Sequence, residues 1–184
     1  MTRIARMRKR RGLNGFARDE GGATAVEFAM VGIPFFFMLF MMMELALVLV
    51  INMSLDDAVR SATRRIRTGE LQQAGGSSLA AFREDVCSRM VFMAEHCRTH
   101  LTIDVRHYPQ WAGANPPSPM SDDGTFSEVG MQFDPGGAED IVLARAFYRW
   151  PLITPFLSRA MARANGNEAV ITATATFRNE PYQQ

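Results

Sequence analysis

Cysteine and histidine are scarce in this chain of 184 residues, which has two cysteines and three histidines. It contains no lysine-bearing glycine loop for binding phosphate, no Gly-x-Ser-x-Gly nucleophile motif and no His-Glu-x-x-His metal motif. The histidines, at positions 96, 100 and 107, are interpreted as surface or sheet-face residues rather than catalytic bases. We therefore expect neither enzymatic activity nor a cofactor.

Charge is almost absent from the stretch Phe28 to Ile51, where Glu44 is the single charged residue. These 24 residues would extend for about 36 Å as a helix, and the hydrocarbon core of a bilayer is about 30 Å thick. A secretory signal has a shorter apolar region, of about 7–15 residues, and a small-residue cleavage site after it, which is missing here. The sequence therefore predicts a transmembrane helix, which we place at residues 23–51.

Positive charge is concentrated before this helix. Residues 1–22 carry seven basic and two acidic side chains, whereas the whole chain has a net charge of +1. Basic segments are retained on the cytoplasmic side of a membrane, so we expect residues 1–22 to be a cytoplasmic leader and the chain beyond residue 52 to lie outside the cytoplasm. Topology explains this charge, and we expect no binding to nucleic acid.

Small residues precede the apolar stretch instead of following it. A basic leader is followed by Gly22-Ala-Thr-Ala-Val-Glu27-Phe28. The chain continues with Pro34, Met43-Glu44-Leu45, two cysteines around a helix end, Tyr148-Arg-Trp-Pro-Leu-Ile-Thr-Pro155-Phe-Leu and a terminal Phe177-Arg-Asn-Glu-Pro-Tyr182. Together these features resemble the TadE/TadG-like pseudopilins of the tight-adherence (Flp) pilus system.

The resemblance implies how the protein is processed, where it resides and what it binds. A prepilin peptidase would cut between Gly22 and Ala23, giving a minor pilin-like component of type IVb pilus biogenesis. Its partners would be pilin, other pseudopilins and the pilus assembly platform of the bacterial inner membrane. It would cross that membrane once, with a cytoplasmic N-terminus and a C-terminal domain in the periplasm or on the pilus. The alternative is an uncleaved single-pass periplasmic binding or scaffold module of the pilus secretion machine.

Two acidic residues of the apolar helix are candidate functional residues, because a carboxylate within a membrane span is costly and usually has a function or a partner. For Glu27, with Phe28 beside it, pilin-like assembly implies pairing with the α-amino group of Ala23 in a neighbouring subunit, which would set subunit register. The alternative for Glu27 is a place among the cytoplasmic headgroups. Glu44 would lie at the outer interface if the span starts at Ala23, or would contact another helix if it starts near Phe28.

The helical pattern continues beyond the membrane segment. Apolar residues recur at spacings of three and four from Leu55 to Ile66, which predicts an amphipathic stalk over residues 52–68 and a helix end near Gly69. A second helix, capped by serine, is predicted from Leu79 to about Ala94.

Cys87 and Cys97 flank the end of this second helix. With two cysteines outside the cytoplasm, a disulfide is the leading interpretation. Ten helical residues would separate the two Cα atoms by about 15 Å, whereas a disulfide tolerates about 7 Å, so the helix must end and fold back before Cys97. The alternative is a metal site that adds His96 and His100, but the spacing matches no standard zinc pattern, and we expect no metal.

Strands dominate the remainder of the chain. Alternating patterns predict strands at Leu101 to Tyr108, Ile141 to Trp150 and Ala169 to Phe177, a further short strand from Phe126 to Phe133, and a helix from Phe156 to Ala164. Residues 109–125, rich in Pro, Gly, Ser and Asp, are predicted to form an exposed loop. We expect residues 75–184 to form an α+β head in which a helix packs on a small antiparallel sheet.

Overall fold

The computed structural model describes residues 22–73, 78–111, 115–121, 125–164 and 166–181. The basic leader before Gly22, the Gly75-Gly76-Ser77 part of the predicted helix start, and Tyr182 lie outside the described residues. By its contacts the chain divides into two compact units, Met1–Phe40 and Met41–Gln184.

Helix α1, Ala23–Arg67, has 45 residues, and its end confirms the helix end predicted near Gly69. Pro34 lies inside the helix. A proline has no N–H to donate and normally kinks or breaks a helix in water, but it is tolerated in membrane-type apolar helices, where neighbouring groups satisfy the freed carbonyl. In the unit that ends at Phe40, the side chains from Thr24 onward are exposed, except that Gly32 is half-buried.

In the second unit, one face of α1 is buried. The buried positions recur every three or four residues and are Glu44, Val48, Ile51, Leu55, Ala58, Val59, Ala62, Thr63 and Ile66. The sequence makes this face visible only from Leu55, because the exposed positions just before it are apolar as well, Leu49 and Val50 among them. The head therefore packs against α1 from Glu44 onward, well before residue 52, where we placed the start of the stalk.

Three short helices follow. They are α2 (Glu70–Gln73), α3 (Leu79–Arg89) and α4 (Ala94–His100). Ser78 caps α3, because its side chain accepts a hydrogen bond from the Ala81 N–H. The prediction of one helix to Ala94 is wrong: α3 ends at Arg89, and Cys97 lies on the separate helix α4.

Four antiparallel strands form one sheet in the order β1-β2-β4-β3. The strands are β1 (Leu101–Tyr108), β2 (Ile141–Pro151), β3 (Ala162–Ala164) and β4 (Glu168–Arg178). The three long strands β1, β2 and β4 confirm the three long strands predicted from the sequence. Helix α5, Pro155–Met161, is shorter than predicted because the chain becomes β3 at Ala162. Residues 126–133 are not a strand, since there Phe126 and Phe133 each make only an isolated bridge.

The core lies between α1, α3, α4 and one face of the sheet, which we call the inner face. The largest fully buried side chains include Tyr148, Phe82, Leu55 and Ile66. The opposite, outer face carries Asp104, Arg145, Phe147 and Thr174. The pairing of β2 with β1 and β4 places Arg145 directly between Asp104 and Thr174. The fold is α+β, with helices on a small antiparallel sheet, as expected from the sequence.

Candidate functional site

Gly22 and Glu27, which contribute to the resemblance to pseudopilins, lie at the start of α1. Gly22 is exposed, and α1 begins at the next residue. A Cβ added at Gly22 would have no atom within 4 Å, so the space around this glycine is open. Glu27 is exposed and makes no hydrogen bond or ion pair within the described part of the chain. Gly22 and the carboxylate of Glu27 are both accessible to another molecule.

Large apolar side chains cover the surface of α1 that follows. Phe28 is 72% exposed, which leaves its ring free for a contact outside the chain. The other exposed positions of this surface are Val26, Met30, Val31, Ile33, Phe35, Phe36, Phe37, Met38, Leu39 and Phe40. Soluble monomers rarely expose a continuous apolar surface of this extent to water. Within the described residues, one helix is long and apolar enough to cross a membrane, which is compatible with a single-pass membrane protein.

Glu44 has its partner within the chain. Its carboxylate is buried and accepts hydrogen bonds from the backbone N–H groups of Ile153 and Thr154, the latter at 2.9 Å. These two amides directly precede Pro155, where α5 begins, so the carboxylate holds the chain in place where it enters this helix. The two sequence interpretations, an interfacial group or a contact with another helix, did not include this intramolecular partner.

Cys87 and Cys97 form a disulfide, with Cα atoms 5.5 Å apart. Both are completely buried and belong to the core. The chain turns between Arg89 and Ala94, which brings α4 back onto α3 and makes the bridge geometrically accessible. The two sulfur atoms that the metal alternative requires as thiolates are therefore bonded to each other.

A buried ion pair on the outer face was not predicted from the sequence, in which Asp104 alternates with the apolar residues of β1. Asp104 is completely buried and bonds Arg145 through Nη2 at 2.5 Å and Nε at 3.1 Å. Arg106 Nε and the Gln132 N–H also donate to its carboxylate, each with its closest contact at 3.0 Å. Burial alone would raise the pKa of Asp104, but the hydrogen bonds from the arginines and from the amide outweigh it and hold this pKa below its usual range.

This ion pair attaches the connection between β1 and β2 to the sheet. Arg145 Nη1 donates to the Pro117 carbonyl at 2.9 Å, and the Phe126 ring lies 5.4 Å from the Phe147 ring. Part of the segment predicted to be an exposed loop therefore covers the outer face. One signal could have revealed the pair: aligning the two predicted strands as an antiparallel pair places Asp104 opposite Arg145.

A second polar cluster surrounds His96 on α4. His96 Nδ1 lies 2.7 Å from Tyr148 Oη, and its ring stacks on His100 with a centroid distance of 3.9 Å. Burial, assisted by the nearby His100, lowers the pKa of His96, although Glu168 acts in the opposite direction. Burial also raises the pKa of Tyr148 to about 12. At neutral pH both side chains are therefore uncharged, which suits a buried hydrogen bond.

The buried polar side chains of the head join one segment of the chain to another. Among the residues that the structure describes, no group of three or more histidine, cysteine, aspartate or glutamate side chains could hold a metal ion. The buried carboxylates of Glu44 and Asp104 are fully engaged in hydrogen bonds that fix one segment to another. The accessible groups of the candidate site are those at the start of α1.

Residues 22–64 match the family model described as TadE-like protein. The match begins at Gly22 and includes Glu27, Phe28 and Glu44, and it confirms the resemblance noted in the sequence. No curated protein and no solved structure matches the chain. The TadE-like segment supports involvement in the assembly of tight-adherence pili.

Proposed function

We propose that this protein is a minor pilin-like component of tight-adherence pilus biogenesis, processed after Gly22 and assembled through its apolar N-terminal helix. Its role is structural rather than enzymatic. A prepilin peptidase, pilin, other pseudopilins and the inner-membrane assembly platform are its partners. The basic leader keeps the N-terminus in the cytoplasm, and the α+β head lies in the periplasm.

One observation carries this proposal: α1 begins at the residue after an open glycine and presents an exposed carboxylate in its second turn. Cleavage after Gly22 would create an α-amino group on the first helical residue. Glu27 is four positions further along α1, or about 6 Å along the helix axis. In a packed assembly the new cation of one subunit can pair with Glu27 of another, which offsets the cost of placing a carboxylate near the apolar phase.

The exposed apolar surface of α1 supports assembly through the same helix. Helices in a membrane associate by close packing of their side chains, and methionine and phenylalanine adapt well to irregular contacts. Phe28 stands beside Glu27 at the start of this surface, so packing and charge pairing would act together in setting the register.

The first experiment determines the intact mass and N-terminal sequence of protein extracted from membranes, with and without prepilin peptidase in the cells. We expect a mature N-terminus at Ala23 that is lost when the peptidase is missing. Gly22→Val should block processing without disturbing the fold, because nothing packs against this glycine. Loss of the leader in cells without the peptidase would contradict the proposal.

The second experiment tests Glu27. Glu27→Gln keeps the size of the side chain but removes its charge, and we expect it to reduce co-purification of pilins and sister pseudopilins from membranes. Asp57→Asn, an exposed acid on the later part of α1, serves as the matched control and should leave recovery unchanged. Equal recovery with both variants would remove the register role of Glu27.

The alternative function is an uncleaved anchor that holds a periplasmic binding or scaffold module. Its specific support is the extensive packing of the head on α1 from Glu44 onward, which would present the loops from a fixed base. An intact leader in cells with active peptidase, together with full function of Gly22→Val, would favour this alternative.

A further inference from the structure

The sheet of the head has one open backbone edge. β4 pairs with β2 along its whole length, whereas β3 pairs only with Glu168 and Ala169 at its start. In an antiparallel sheet every second residue directs its N–H and C=O groups away from a given neighbour. The stretch from Val170 to Arg178 therefore presents alternate backbone groups to the side without a strand.

This open edge contrasts with the opposite edge of the sheet. There, the Val105 N–H donates to the Gln132 carbonyl and the Asp134 N–H donates to the Val105 carbonyl, so residues 132–134 cover the middle of β1. Proteins usually protect a free edge with charges, proline or a covering segment. The stretch from Val170 to Phe177 has neither charge nor proline, and valine, isoleucine and threonine give it high β-propensity.

A groove rich in arginine lies beside the last part of the open edge. It has a volume of about 280 Å³ and is lined by Arg60, Thr63, Arg64 and Arg67 of α1 and by Ala175, Thr176 and Phe177 of β4. Arg60 pairs with Asp56 at 2.9 Å and Arg67 pairs with Glu180 at 3.3 Å. The exposed side chain of Arg64 has no ion pair or hydrogen bond within the described residues, so the groove has an excess of positive charge.

We propose that this edge binds an extended acidic segment of a partner protein as an additional strand next to β4. The unpaired backbone groups of β4 would supply the main-chain hydrogen bonds, and the arginines would select for carboxylates on the added strand. Arg60 and Arg64 are about 6 Å apart along the helix, close to the distance of about 6.7 Å between alternate residues of a strand. Acidic side chains at every second position would therefore face successive arginines.

This docking site is independent of processing at Gly22. It uses only the region of Arg60 to Arg67 on α1 and the edge of β4, and both would be present in an uncleaved protein. Failure of the pseudopilin proposal would leave the docking site intact, and failure of the docking site would leave the processing experiment unaffected.

The probe is a synthetic peptide, Thr-Glu-Val-Glu-Val-Glu-Thr, compared with the peptide in which each glutamate is replaced by lysine. Both are labelled at one end and titrated into the full chain in detergent micelles, with binding followed by fluorescence anisotropy. We expect the acidic peptide to bind and the lysine peptide not to bind. In the complex, amide hydrogen exchange should slow at alternate residues between Val170 and Arg178.

Two further acidic peptides carry backbone N-methyl groups, one set at odd positions and the other at even positions. Only alternate residues of an added strand can bond to the edge, so one set should abolish binding and the other should leave it nearly unchanged. This comparison leaves the protein unaltered. Equal effects of the two sets would show that binding is not strand addition and would overturn the proposal.

The arginine requirement is tested with Arg64→Glu, whose matched control is Arg159→Glu. Arg159 is exposed on α5, lies outside the groove and has no ion pair within the described residues. We expect Arg64→Glu to weaken the binding affinity for the acidic peptide about fivefold or more, as expected for reversing an exposed charge. Arg159→Glu should have little effect on this affinity. Unchanged affinity with Arg64→Glu would overturn the proposal. So would a dimer of the chain in which β4 amides are protected without peptide, because a second copy would then occupy the edge.

Discussion

Glu44 accepts a hydrogen bond of 2.9 Å from the backbone N–H of Thr154, although 110 residues separate the two in the chain. The Ile153 N–H donates to the other oxygen of the same carboxylate. A buried backbone N–H needs an acceptor, and here the carboxylate supplies one for each of the two amides directly before Pro155. One side chain of the apolar helix therefore fixes the connection between β2 and α5.

Replacing Glu44 should destabilise the head measurably. Glu44→Ala leaves both amides without their acceptor in a partly buried environment, and we expect the free energy of unfolding to fall by about 2–3 kcal/mol. Urea unfolding of the full chain in detergent micelles, followed by tryptophan fluorescence, measures this change, since Trp150 lies just before the affected segment in the chain.

Glu27→Ala is the control for this experiment, because Glu27 is exposed and has no partner within the described residues. It should change the free energy of unfolding by no more than about 0.5 kcal/mol. Similar effects of the two substitutions would mean that the hydrogen bonds of Glu44 do not stabilise the head.

The Asp104–Arg145 ion pair leads to a larger predicted effect. Asp104→Asn would leave Arg145 buried opposite a neutral group, and breaking a buried pair from one side costs about 3–5 kcal/mol. Thermal unfolding monitored by near-ultraviolet circular dichroism should show a clearly lower melting temperature than that of Asp57→Asn, which removes an exposed carboxylate.

A double variant separates the charge from the packing at this site. Asp104→Leu combined with Arg145→Met replaces both charges with apolar side chains, and we expect it to recover part of the stability lost in Asp104→Asn. A double variant no more stable than the single one would indicate that the Arg145 contact with the Pro117 carbonyl is what the fold requires.

The parts of the fold that sequence predicted well are those with a local repeating pattern. The end of α1 and the strands β1, β2 and β4 follow from periods of about 3.6 and 2 residues, and the start of α1 follows from a compact motif at Gly22 and Glu27. The predicted helix to Ala94 failed because Met90 and Met93 continue the apolar spacing through the turn that separates α3 from α4.

The contacts that sequence did not reveal are all between distant segments. The partner of Glu44 lies beyond β2, and nothing in the local pattern around Glu44 indicates a pair of free amides there. The burial of Asp104 could not be predicted, because alternation defines the two faces of a strand but not what covers each face. The covering segment near Pro117 has no periodic pattern.

The disulfide gives a third prediction. Replacing both cysteines, Cys87→Ala with Cys97→Ala, releases a loop closed by about ten residues, and chain-entropy arguments give a loss of about 2.5–3 kcal/mol in the free energy of unfolding. Urea unfolding of this variant, compared with the native protein under oxidising and reducing conditions, measures the loss. A double variant as stable as the oxidised native protein would contradict this prediction. As a control, reducing conditions should leave the stability of the double variant unchanged, because it has no disulfide to reduce.

The cluster around His96 predicts a specific dependence of stability on pH. The pKa of His96 in the folded protein lies below the ordinary value of 6.5, so between these two values the unfolded chain binds more protons. The contribution of neutral His96 to the free energy of unfolding is thus fully present above pH 6.5. It is lost as the pH falls towards the pKa of His96 in the folded protein. His96→Gln, which keeps a hydrogen-bonding side chain beside Tyr148 Oη but does not titrate, should remove this loss. His107→Gln, which affects a more exposed histidine beside Asp134, should retain this loss of stability.

Urea unfolding at several pH values compares the native protein with these two variants. An equal pH dependence in the native protein and in His96→Gln would assign the loss to another group.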